Sequence, residues 1–110
     1  MELPIQVTFH GMDASPALDT AIREKAGKLD RFHPHVMSCR AVVEETGLHK
    51  THGRMFAVRL DIKVKGAEFA ITREHDEDPF VAVRDAFDVA KRQLEERTRR
   101  QRAEAKGKRE

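Results

Sequence analysis

The stretch from Asp78 to Arg102, DPFVAVRDAFDVAKRQLEERTRRQR, constrains the fold of this chain more than any other. Asp78 offers a carboxylate to the orphan backbone N–H groups of a helix start, and Pro79 suits the first helical position, where no donor is needed. Phe80, Val83, Phe87, Ala90 and Leu94 then recur at steps of three and four, so they share one face. Beyond Leu94 that face ends, although ERTRRQR still favours helix. At about 1.5 Å per residue the segment reaches roughly 35 Å, more than a small core can cover. Its first half is expected to pack and its second half to project as a basic arm.

Charge divides the chain at the same place. From Arg97 onward seven Lys/Arg stand against two Asp/Glu, a net +5, whereas residues 1–96 carry fourteen against seventeen, a net −3. With 110 residues in all, one modest core is expected. The reading is a folded domain over residues 1–96 followed by a basic helical extension over 97–110. A basic tail on a body of mixed charge suits a polyanionic partner, and equally suits a solvated end that aids solubility.

Cys39 is the only cysteine, which rules out an intramolecular disulfide framework and fits a reducing compartment. It lies in a strand-like run and reads as a small buried hydrophobe rather than a nucleophile. No apolar stretch approaches the about 18 residues of a membrane span, and MELPIQVTFHG lacks the pattern of a signal peptide. A cytoplasmic protein without a membrane partner is expected.

The rest of the chain alternates in period. Ile5 to Phe9 sets Ile5, Val7 and Phe9 against Gln6 and Thr8, the pattern of a half-buried strand. Ser15–Pro16 repeats the cap-then-proline start, and Leu18, Ala21, Ile22, Leu29 and Phe32 form a helical stripe ending near Pro34. Lys25 falls among these by angle, its stem along the core edge and its amine toward water. Val36 to Thr46 reads as a second strand with Met37, Cys39, Ala41 and Val43 on one side. Met55 to Lys65 is the clearest strand, with Phe56, Val58, Leu60, Ile62 and Val64 alternating against Arg59, Asp61 and Lys63. Gly66 supplies a hairpin turn, and Glu68 to Arg73 returns with Phe69 and Ile71 inward.

The order is strand, helix, three strands, helix. A right-handed parallel crossover joins the first two strands, and short connections make strands two to four antiparallel. The expected fold is α+β: a two-layer βαβββα sandwich with a four-stranded mixed sheet, both helices on one face and the other face wet.

Catalysis finds little support, for there is no Gly-rich phosphate loop, nucleophile elbow or cysteine pair, and the chain is not read as an enzyme. His33 and His35, with His49 and His52 in the GLHKTHG loop, lack a fixed third ligand for a metal site. The acidic run EHDED precedes a helix start, where the macrodipole favours negative charge. The basic residues of the helices say more. Lys25, Lys28 and Arg31 climb one flank of the first stripe; Arg84, Lys91, Arg92 and Arg99 follow one flank of the second. At about 100° per residue the flanks have opposite hand, so they either face each other across a groove or both point outward. A facing arrangement would suit a phosphate backbone. Against this, Glu24 with Lys28 and Asp88 with Arg92 are spaced to pair at i,i+4.

Two blocks carry a family resemblance. HGMDASPALDTAIREKAGKLDRF is similar to the first helix block of the ribosome hibernation-promoting factors, also called RaiA-type ribosome-associated inhibitors or sigma-54 modulation proteins. The shared positions are Ser15, Pro16, Ala17, Leu18, Lys25, Lys28, Leu29, Arg31 and Phe32. EDPFVAVRDAFDVAKRQL resembles the family's second block at Glu77, Asp78, Phe80, Ala82, Val83, Arg92, Gln93 and Leu94. It departs from that block at Pro79–Phe80, at Val83–Arg84 and at Val89, where the family has Met-Tyr, Ile-Asp and Lys. The resemblance covers about residues 5–96 and implies a double-stranded-RNA-binding-domain-like fold. It also implies binding to the small ribosomal subunit and its ribosomal RNA, which occludes the messenger and transfer RNA sites in stress or stationary phase. Lys25, Lys28, Arg31 and Arg92 are the RNA-binding residues it selects, with Arg84 and Lys91 compensating for the departures.

Long members add a C-terminal dimerisation domain, and this chain resembles a short form with a basic tail. It is expected to be a monomer off the ribosome, needing no cofactor, metal or small-molecule substrate. Two alternatives stand beside this: a general nucleic-acid-binding module acting through the tail from Arg97, and a transcription modulator using the wet sheet face with Arg59, Asp61 and Lys63.

Overall fold

The structure, a computed structural model, describes residues 4–46, 55–76 and 78–107, with side chains described up to Ala105 except at His75 and Asp76. The GLHKTHG loop with His49 and His52, Glu77 of the acidic run and the last three residues lie outside the described residues. The elements follow in the order β1 (Ile5–His10), α1 (Pro16–Phe32), β2 (Val36–Glu45), β3 (Met55–Val64), β4 (Ala67–Asp76) and α2 (Pro79–Gly107). The sheet order is β1-β2-β3-β4, with β1 parallel to β2 and the other neighbours antiparallel. The expected βαβββα fold with a four-stranded mixed sheet is what forms.

Local chemistry fixes both helix starts. Ser15 Oγ accepts from the Leu18 N–H at 3.2 Å, and Asp78 Oδ1 accepts from the N–H groups of Phe80 and Val81 at 2.9 and 3.3 Å. Each cap satisfies donors that a helix cannot satisfy internally. Between β3 and β4, Val64 pairs with Ala67, so Lys65 and Gly66 alone make the turn, and Gly66 takes φ +84°. That left-handed conformation is open to glycine at no steric cost.

One core lies between the sheet and the helices. Phe56, Val58, Leu60, Ile62 and Val64 of β3 are all buried, as their alternation requires. Leu18, Ile22, Ala26 and Leu29 of α1 join the same core over β1 and β2, while α2 covers β3 and β4. On α2, Ala82, Ala86 and Ala90 are at most 1% exposed and stand four residues apart. Small side chains on that line let the helix axis lie close to the strands, while Val83, Phe87 and Leu94 fill the space beside it. Because β1 and β4 run in the same sense and each helix returns across the sheet, α1 and α2 lie side by side, in contact.

Three apolar residues depart from their expected places: Phe32 is 69% exposed, Met37 51% and Phe80 46%. The β2–β3 register shifts between Val36 and Ser38, which turns Val36 inward and Met37 outward. Cys39, Ala41 and Val43 beyond the shift keep their inward positions. Phe80 sits in the first turn of α2, at the end of its core stripe. Phe32 closes α1, and at about 100° per residue it falls between Lys25 and Lys28, on the flank rather than the core line.

Strand β4 runs on to Asp76, past the expected end at Arg73, and α2 runs to Gly107, five residues past Arg102. A helix of 29 residues is about 43 Å long, whereas a ten-residue strand spans about 33 Å. Leu94 is the last buried residue of α2 among the described side chains, and residues 99–105 are all exposed. The projecting basic arm is therefore a direct continuation of a core helix.

Candidate nucleic-acid interface

Where α1 and α2 meet, their flanks face each other. Lys25 and Lys28 of α1 and Lys91 of α2 line one shallow cleft of about 150 Å³, floored by Leu29 and Phe87, with Asp88 as its one carboxylate. Lys25 is half-buried, as its stem lies along the core edge, while Lys28 and Lys91 are exposed. Of the two arrangements open to the sequence, the facing one forms for these three lysines.

The other sequence-selected cations lie elsewhere. Arg84 is on the same angular line as Lys91 but is engaged by its neighbour Asp85 at 3.2 Å. Arg31 and Arg92 are exposed and line neither this cleft nor its neighbour. For Arg92 the reason is angular: one residue past Lys91 is about 100° further round the helix, toward solvent. Arg99 belongs to a second, larger cleft of about 810 Å³ at the base of the projecting arm. That cleft also takes in His33, His35, Lys65, Arg97 and Arg102, and it shares Phe32 and His33 with the first. The two clefts thus form one trough along the α1 side of α2.

The expected i,i+4 pairs do not form. Among the described residues, the helix ion pairs are Arg23 with Asp19, Arg84 with Asp85 and Arg100 with Glu96; neither Glu24–Lys28 nor Asp88–Arg92 is made. Lys25, Lys28, Lys91, Arg92, Arg99 and Arg102 therefore have no ion pair among the described residues. Unpaired cations along a trough can displace the counterions of a polyanion without first breaking internal pairs. The sheet's outer face differs in kind: Arg59 lies 3.4 Å from Asp61, and Arg40 is paired in register with Asp61 across β2 and β3, so its charges are mixed.

Sequence reasoning missed Arg102 and Lys65 as trough residues. Arg102 is eleven residues past Lys91, about three turns, a spacing that was available to find it. Lys65 arrives through the β3–β4 turn, which periodicity does not place. No group of three or more His, Cys, Asp or Glu able to hold a metal ion occurs among the described residues, nor is any described helix long and apolar enough to cross a membrane. The single cysteine, Cys39, is buried, and burial pushes its thiol up to about 11.

Comparison with known proteins places this architecture. Among the solved structures that share it are a ribosomal subunit interface protein from Coxiella burnetii and the N-terminal domain of Protein Y from Thermus thermophilus. The first aligns with a TM-score of 0.75 at 21% identity, over 87% of this chain and 98% of that one. The second aligns with a TM-score of 0.65 at 18% identity, over 84% and 96%. No curated protein sequence matches the chain. The family described as sigma 54 modulation protein / S30EA ribosomal protein matches residues 5–102, covering every strand, α1 and α2 as far as Arg102, and the chain belongs to that family.

Proposed function

We propose that this protein is a ribosome-associated translation inhibitor. It binds ribosomal RNA of the small subunit through the trough between its helices, and its body occludes the sites of messenger and transfer RNA in stress or stationary phase. The observation that carries this reading is the convergence of Lys25, Lys28 and Lys91 on one cleft, in a member of a family named for ribosomal proteins. Compact ammonium groups from two rigid helices, with one opposing carboxylate, suit phosphates held at fixed spacing. Inhibition needs no chemistry, since a domain seated in the channel excludes its usual ligands by volume. It acts as a monomer, in the cytoplasm, where ribosomes are.

Sedimentation through a sucrose gradient tests the reading. The wild-type protein is expected to travel with small subunits and intact ribosomes at low salt and to leave them as salt rises. The variant Lys25→Glu/Lys28→Glu/Lys91→Glu is expected to stay at the top of the gradient and to leave cell-free translation running. Retention of that variant on ribosomes would remove the trough from the mechanism. A wild-type protein that neither sediments with ribosomes nor slows translation would remove the function.

A further inference from the structure

The larger cleft holds a combination that a grip on phosphates alone does not require. Its rim carries Phe32, 69% exposed at the end of α1, in a chain with six phenylalanines and no tryptophan or tyrosine. Val36, Val64 and Leu94, each 4–6% exposed, underlie the cleft, so its base is apolar and fixed by the core. On the α2 side stand Arg99 and Arg102, both exposed and without an ion pair among the described residues. The nearby arginines are occupied differently: Arg97 donates to the Lys65 carbonyl oxygen and Arg100 faces Glu96. The volume, about 810 Å³, lies within the roughly 300–1,000 Å³ of small-molecule sites.

We propose that this cleft binds a single-stranded RNA segment, with an unpaired base stacked on the Phe32 ring and the adjoining phosphates held by Arg99 and Arg102. The proposal rests on the RNA-binding reading above and assigns a second contact within it. An intact duplex keeps its bases stacked inward and offers a protein mainly phosphates and 2′-hydroxyls, leaving an exposed aromatic ring without a purpose. An unpaired base presents a π-face to an aromatic side chain, whatever the base, while arginines track the backbone beside it. An acidic peptide would satisfy the arginines but not the ring. The four basic side chains Lys65, Arg97, Arg99 and Arg102 stand against the single carboxylate of Glu95, so the complementarity is to an anion.

The test uses the full chain and two fluorescent probes, a ten-nucleotide single-stranded RNA of mixed sequence and a duplex RNA of equal length, read by anisotropy across a salt series. Phe32→Ala is expected to weaken single-strand binding about tenfold, to leave duplex binding within twofold, and to leave the salt slope unchanged. Phe32→Tyr keeps a stacking ring and is expected to restore binding. Arg99→Ala/Arg102→Ala is expected to lower the salt slope for the single strand by about 1.4, from two contacts at roughly 0.7 each. Because Phe32 is exposed, these variants are expected to melt with the wild type, which far-UV circular dichroism checks.

Equal loss on both probes for Phe32→Ala, or no loss on either, overturns the proposal, as does competition by an acidic peptide as effective as unlabelled RNA. Ribosome sedimentation of the same proteins separates the two ideas. A wild type that sediments while Phe32→Ala binds the oligonucleotide normally keeps the ribosome reading and rejects the cleft. Wild-type protein that fails to sediment, yet loses the oligonucleotide on Phe32→Ala, keeps the cleft and rejects the ribosome.

Discussion

Arg97 Nη2 donates a hydrogen bond to the main-chain carbonyl oxygen of Lys65, 3.3 Å away, across the tip of the β3–β4 hairpin. This bond joins the first turn of α2 past the core to the sheet it has just left. A helix that overruns its core has no apolar face to hold it, so its direction depends on what fixes the last packed turn. Here Leu94 is packed, and Arg97 adds a polar tie one turn on. Arg99 and Arg102 are thereby aimed at the trough rather than left to sweep through solvent.

Removing that tie should be felt as motion more than as stability. Arg97→Ala is expected to cost about 0.5–1.5 kcal/mol, a fall in Tm of a few degrees. Amide exchange over residues 98–105 is expected to rise severalfold, while exchange in β3 stays the same. Unchanged exchange in the arm would mean that helix propensity alone holds its direction.

The cations of the inter-helix cleft should rank by position, not by kinship to the family pattern. Lys91→Ala is expected to weaken ribosome binding and to lower the magnitude of the salt slope by about one, the signature of one lost phosphate contact. Arg92→Ala, one residue on and outside the cleft, is expected to do less. Titrations of both variants at several salt concentrations decide this, and the reverse ranking would return the grip to the outer face of α2.

Gly11 stands where β1 gives way to the turn before α1, with φ +68° and its missing Cβ only 2.8 Å from the Glu45 carbonyl oxygen at the end of β2. Backbone cannot retreat as a side-chain tip can, and the left-handed conformation adds its own cost to any other residue. Gly11→Ala is expected to destabilise the fold by about 1–3 kcal/mol in urea unfolding. Gly27→Ala is the contrast: a Cβ there meets nothing within 4 Å, and replacing glycine within a helix is expected to stabilise by about 0.5–1 kcal/mol.

Cys39 predicts the alkaline limit of the fold. Burial, with the nearby charge of Asp61 as a lesser cause, raises its pKa from 9.0 to about 11. The folded state therefore holds the proton more firmly than the unfolded chain does. The resulting stability is complete below about pH 9 and is lost as pH rises toward 11. Two units correspond to on the order of 2–3 kcal/mol. Urea midpoints measured from pH 8 to 11 are expected to fall more steeply for the wild type than for Cys39→Ala. At pH 8 the native thiol is expected to resist alkylation until the protein unfolds.

Sequence pattern alone determined the order of elements, the mixed sheet, both helix caps, the inward face of β3 and, on α2, the inward places of Val83, Phe87, Ala90 and Leu94, though not those of Ala82 and Ala86. These depend on local chemistry and on periods of 2 and 3.6, which a linear string preserves. It also narrowed the basic residues to two helix flanks, and the two family blocks narrowed the likeness. Tertiary structure decided which cations meet. Whether opposite-handed flanks face inward or outward depends on how both helices lie on one sheet, and periodicity within each helix carries no information about its neighbour. The same holds for Phe32 and Met37: one is turned onto the trough by the end of α1, the other into solvent by a register shift in β2. The fold follows from intervals along the chain; the trough follows from distances across it.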